Sequence, residues 1–112
     1  MSKHSEINIK VTLDDENVPE EIQWDATEKP KDSGNDARAF ALGLWDHEQR
    51  NTLRIDLWTK EMEVPDMKIF YIDMIGGMSE SLRNATGDHA MADMMQDFLQ
   101  SLVDHVNSQK ED

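Results

Sequence analysis

Cysteine is absent from the 112 residues. Its absence excludes disulfides, thiolate metal sites and a cysteine nucleophile. Positive charge is scarce, with 11 Lys+Arg against 24 Asp+Glu and a formal net charge of −13. A chain so acidic lacks the clustered cations that phosphate backbones and anionic lipid surfaces require, so nucleic acid and membrane docking are both disfavoured. No apolar run reaches the roughly 18 residues that a membrane span needs. The first residues, Met1-Ser2-Lys3-His4-Ser5-Glu6, have no apolar segment of the secretory kind and no cysteine to carry lipid, so the expected location is the cytoplasm. Repeats and low-complexity tracts are also missing. The length fits a single domain over 1–112 with one modest core.

The acid that dominates the composition is unevenly placed. Residues 14–36 carry nine acids against Lys29 and Lys31, and residues 88–112 carry six acids against Lys110. Between them, residues 37–87 hold eight acids against six bases, close to neutral. The excess suits a solvated, self-repelling surface, a halophilic host, or attraction to a basic partner.

The first half of the chain alternates with the period of two that marks strands. Ile7, Ile9, Val11 and Leu13 share one side, and Ile22, Trp24 and Ala26 share one side of the next run. Pairing Val11 with Ile22 and Ile9 with Trp24 keeps both sets on a common face. Asp14-Asp15-Glu16-Asn17-Val18-Pro19 reads as the turn between them. Residues 28–35, with Pro30 and Gly34, read as a flexible polar loop. Two further alternating runs follow, joined through residues 46–50. A register setting Leu44 opposite Leu53, Leu42 opposite Ile55 and Phe40 opposite Leu57 gathers six large apolar residues on one side. From about residue 65 the period becomes helical. Pro65 and Asp66 suit a first turn, Gly87 a C-terminal stop and Asp88 the cap of a second helix. Met67, Phe70, Tyr71, Met74, Ile75, Met78, Leu82 and Ala85 line one stripe, and Met91, Met94, Met95, Phe98, Leu102 and Val106 line another. Ile69, Ile72 and Gly76 fall on the far side of the first helix. The Gly76-Gly77 pair there costs helix stability and so signals a close backbone approach or a kink.

The expected fold is therefore α+β. Four strands, over about 6–14, 20–28, 37–46 and 51–60, form an antiparallel meander, and two helices, over about 65–86 and 88–107, pack on one face as a ββββαα two-layer sandwich.

If Phe40, Leu42 and Leu44 face the helices, then Ala39, Ala41, Gly43 and Trp45 face away, together with Arg54, Trp58 and Lys60 on the next strand. A merely solvated face would read as Lys, Glu and Thr. Small residues between two indoles instead let another surface approach closely, which predicts a protein-partner or self-association face and a homo-oligomer. Motifs of catalysis are not found: there is no glycine-rich phosphate loop, no HExxH and no GxSxG. His4, His47, His89 and His105 share no ligand spacing, and His89 with Asp93 is an isolated i, i+4 pair. Asp14-Asp15-Glu16-Asn17 lacks the alternating ligands, central glycine and closing Glu of a calcium loop. No cofactor, metal site or catalytic residue is expected.

The stretch Leu44-Trp45-Asp46 and the run from Asn51 through Thr52, Leu53, Arg54, Ile55, Asp56, Leu57, Trp58, Thr59, Lys60 and Glu61 to Met62 resemble the gliding-motility-associated GldC family of Bacteroidetes. Residues 18–28 (VPEEIQWDATE), Ala85-Thr86-Gly87 and Met91-Ala92-Asp93 resemble the same family, so the similarity spans nearly the whole chain. Gly76-Gly77 and the loop over 31–35 depart from it. The resemblance implies a small soluble accessory protein of cell-surface gliding, tied to the type IX secretion apparatus, with no catalytic or ligand residue to inherit. In layout alone the order of four strands and two helices is similar to the export chaperone SecB, which makes a holdase for unfolded clients the alternative function. A small-molecule-binding or enzymatic domain is the third reading.

Overall fold

The computed structural model describes residues 3–110. The chain divides into two compact units, residues 1–62 with the strands and residues 63–112 with the helices.

In the strand unit β1 (Ile7–Leu13) pairs antiparallel with β2 (Pro19–Ala26), and Val11 opposes Ile22 and Ile9 opposes Trp24 as the alternation predicts. The third run does not form one strand. It breaks at Arg38 into β3 (Asp36–Ala37), which pairs with β2, and β4 (Ala39–Asp46), which pairs with β5 (Asn51–Trp58). The expected four-stranded meander thus keeps its connectivity but becomes two small sheets, β1-β2-β3 and β4-β5. A bend after a two-residue pairing hands the chain from one sheet to the other. The β4–β5 register follows the sequence: Phe40 opposes Leu57, Leu42 opposes Ile55 and Leu44 opposes Leu53.

Both tight turns rest on an aspartate. Asp14 Oδ1 accepts the N–H groups of Glu16 and Val18 at 2.8 and 3.0 Å, and Asp46 Oδ1 accepts those of Glu48 and Gln49 at 3.0 and 3.2 Å. Each turn ends on a left-handed residue, Asn17 (φ 64°) and Arg50 (φ 55°). The buried centre of this unit is Ile22 and Thr59. Trp24 is half-buried under Lys29, whose Nζ stands 4.4 Å from the ring centroid and also donates to the Trp24 carbonyl at 3.3 Å and to Asn35. These bonds pin the loop that reads as flexible in sequence.

The helical unit is an antiparallel pair, α1 (Val64–Thr86) and α2 (His89–Lys110). Pro65 sits in the first turn of α1, where its missing N–H costs nothing. Gly87 closes the helix in the left-handed region (φ 71°), with its N–H on the Arg83 carbonyl. Asp88 Oδ1 accepts the Met91 N–H at 2.9 Å, capping α2. The interface does not follow the methionine stripe. It runs along Lys68, Gly76, Ser79 and Arg83, opposite Gln109, Leu99, Gln96 and Asp93. Ser79 and Ala92 are fully buried there. Gly76, placed on the far side by hydropathy, is the point of close approach: a Cβ on it would stand 3.3 Å from Leu99 Cδ2. Gly77 faces open space.

Candidate functional site

The outer face of the β4–β5 hairpin assembles as its alternation dictates. Ala39 opposes Trp58, Ala41 opposes Asp56, Gly43 opposes Arg54 and Trp45 opposes Thr52, so the two indoles stand at opposite ends of a floor of small residues. Trp45 is 60% exposed and Trp58 49%. Arg54 projects freely between them, with only a loose 3.8 Å approach to Asp56. Six of the seven expected residues therefore share one face.

Lys60 is the exception. β5 ends at Trp58, and the chain then turns, with the Met62 N–H on the Thr59 carbonyl. The Lys60 backbone N–H bonds to the Pro19 carbonyl. Its ammonium lies 2.6 Å from Asp14 Oδ2 and 3.4 Å from Glu20 Oε1. Extrapolating strand parity past Trp58 misplaced it: its charge fastens the β1–β2 turn. The hydrogen bond from Lys60, helped by the Val18 and Glu16 N–H groups, lowers the Asp14 pKa to about 2, and the same pairing raises that of Lys60.

The opposite face of the hairpin is apolar and open. Leu44 and Leu53 are each 53% exposed and Leu42 and Ile55 are also exposed, while Phe40 and Leu57 are half-buried. A two-stranded sheet offers no further strand to shelter these side chains. On the helical unit the methionine stripe forms a second apolar surface, a groove lined by Ile75, Met91, Met94, Met95 and Phe98. Helical periodicity places Met91, Met94, Met95 and Phe98 on one stripe, but hydropathy does not distinguish a stripe that packs from one that remains open.

No group of three or more His, Asp or Glu residues able to hold a metal ion occurs among the described residues. His89 and Asp93 do come together, but around Arg83, whose guanidinium meets His89 Nδ1 at 3.0 Å and Asp93 Oδ1 at 2.7 Å. The acidic turn over 14–17 is likewise committed, to its own backbone and to Lys60. No described helix is long and apolar enough to cross a membrane.

Fold and surface together define an α+β protein whose distinctive features are open apolar and aromatic faces. Over residues 19–108 the chain matches the family described as gliding motility-associated protein GldC-like. It belongs to that family, which is defined by association with gliding motility and not by a reaction. No curated protein and no solved structure matches the chain.

Proposed function

We propose that the chain is a non-enzymatic accessory protein of gliding motility that works in the cytoplasm by binding another protein through the outer face of β4–β5. The observation that carries this reading is the pair of exposed indoles, Trp45 and Trp58, flanking Ala39, Ala41 and Gly43. Aromatic side chains supply large contact area at low entropic cost and concentrate at the centres of interfaces. The small floor lets a partner backbone settle between them. Arg54 offers a cation to an acidic group on that partner, and the acidic remainder of the chain keeps the unbound protein soluble. Affinity capture from gliding cells tests this: a partner held by the wild type and lost from the Trp45→Ala/Trp58→Ala protein supports it, and an unchanged set of partners rejects it.

The methionine groove favours one second reading, a holdase for unfolded clients. Unbranched thioether side chains adapt to varied apolar segments. Suppression of the aggregation of an unrelated unfolded protein, abolished by Met94→Asp, supports that reading. No suppression at stoichiometric excess removes it.

A further inference from the structure

The β4–β5 hairpin poses a physical problem. Among the described residues it is a two-stranded sheet with no strand beyond β5. Such a sheet is marginal in water on its own. Natural proteins blunt an open edge with charged side chains, proline or a bulge. β5 reads Asn-Thr-Leu-Arg-Ile-Asp-Leu-Trp and pairs with β4 without a register shift, so it has no proline, lysine or bulge. Its two charges, Arg54 and Asp56, are of opposite sign and can neutralise each other across a pair of strands. The Thr59 N–H bonds to the Arg38 carbonyl on the β4 side. By alternation, Leu53, Ile55 and Leu57 spend their N–H and C=O groups on β4, and those of Thr52, Arg54, Asp56 and Trp58 point outward.

We propose that β5 pairs antiparallel with β5 of a second copy of this chain, in the register centred on Ile55. The charges choose both the occupant and the register. Two identical strands meeting around a two-fold axis must set residues of equal parity opposite each other, which leaves a handful of alignments. Centred on Arg54, the alignment sets arginine against arginine; centred on Asp56, it sets aspartate against aspartate. Both are unfavourable. Centring on Leu53 leaves Asp56 to Trp58 unpaired, and centring on Leu57 sets Arg54 opposite Lys60, whose N–H is already held by the Pro19 carbonyl. Centred on Ile55, the strand meets itself well: Arg54 faces Asp56 twice, Leu53 faces Leu57 twice, Ile55 faces its own copy and Thr52 faces Trp58. The outward N–H and C=O groups of the two strands then form about eight hydrogen bonds. The result is a four-stranded sheet, β4-β5-β5-β4, with twice the apolar face and four indoles on the other side. Self-association thus falls at the sheet edge and not at the aromatic face, which is left for the partner proposed above; either proposal stands if the other fails.

Light scattering at about physiological ionic strength, where the general repulsion between two chains of net charge −13 is screened, tests the pairing. The wild type is expected at twice the chain mass. Arg54→Asp sets carboxylate against carboxylate across the two strands, and Asp56→Arg sets guanidinium against guanidinium, so each weakens self-association about tenfold to a hundredfold. An equimolar mixture of the two is expected to recover the double mass as a heterodimer, which also shows that both fold. The exchanged protein, R54D/D56R, recovers it alone with the net charge unchanged. Trp45→Ala, on β4 and away from the edge, leaves the mass doubled. A wild type at the single-chain mass overturns the proposal, as do single variants that keep the double mass, failure of the mixture or the exchanged protein to recover it, or its loss in Trp45→Ala.

Discussion

Lys60 and Asp14 form an ion pair with Nζ and Oδ2 2.6 Å apart, and the same carboxylate caps the β1–β2 turn through its other oxygen. One aspartate thus closes a turn and ties it to the chain just past β5. The depressed Asp14 pKa fixes the sign of the pH dependence. Its contribution is complete above the ordinary value of 3.8 and is lost as pH falls toward about 2. The raised Lys60 pKa works on the other side: its contribution is complete below the ordinary 10.5 and is lost as pH rises past it. Asp14→Asn is expected to lower the melting temperature at pH 7 and to flatten its decline between about pH 4 and pH 2. Melting followed by circular dichroism across that range checks both, and an acid limb identical to the wild type would reject the assignment.

The two adjacent glycines of α1 should respond differently to one methyl group. Both pay the usual penalty for glycine inside a helix, about 1 kcal/mol relative to alanine. Gly77 faces open space, so Gly77→Ala is expected to stabilise the protein by about that amount. At Gly76 the new Cβ stands 3.3 Å from Leu99 Cδ2, and part of the gain goes into moving that side chain. Gly76→Ala is therefore expected to gain less than Gly77→Ala in urea unfolding. Equal gains would show that Leu99 yields freely.

How far the sequence reveals this molecule depends on which force acts at each point. The registers of β1–β2 and β4–β5 follow from parity, because one slip would turn every side chain to the other face. The helix ends follow from Pro65, Gly87 and Asp88, whose backbone chemistry is local. The break at Arg38 carries no such mark: Ala37-Arg38-Ala39 continues the alternation, and only the pairing of β3 with β2 and of β4 with β5 shows where the strand divides. The α1–α2 interface is hidden for a related reason. Gly76, Ser79, Ala92 and Gln96 hold the helices together by being small or by hydrogen bonding, and a search for apolar stripes passes over them. On the aromatic face, six residues could be placed by alternation within their strands. Lys60 could not, because the strand ends two residues earlier.

Ser79 joins the two helices by a bond that hydropathy does not reveal. It is 1% exposed, donates to the Gly76 carbonyl at 2.8 Å and accepts from the Gln96 amide. Removing one partner of such a pair leaves the other desolvated and unsatisfied, whereas removing both does not. Ser79→Ala is expected to destabilise the protein by about 1–2 kcal/mol. Ser79→Ala combined with Gln96→Leu is expected to recover much of that loss. Urea unfolding of the wild type, both single variants and the double variant gives the coupling, and strict additivity would reject the bond.

The three tryptophans occupy distinct environments that fluorescence can separate. Trp45 and Trp58 are open on the outer face of β4–β5, while Trp24 is half-buried beneath the Lys29 ammonium. In proteins retaining one tryptophan each, with the other two changed to phenylalanine, acrylamide is expected to quench Trp45 most steeply and Trp24 least. Iodide adds an electrostatic contrast. The Lys29 cation draws the anion toward Trp24, whereas Trp58 lies beside Asp56, which repels it. The iodide-to-acrylamide ratio is therefore expected to be higher for Trp24 than for Trp58, and Lys29→Met should lower the Trp24 ratio alone. Because a contact over the outer face would bury Trp45 and Trp58 without touching Trp24, adding the captured partner is expected to shift the emission of the first two to shorter wavelength and leave the third unchanged. A shift confined to Trp24 would move the contact off the β4–β5 face and onto the β1–β2–β3 sheet.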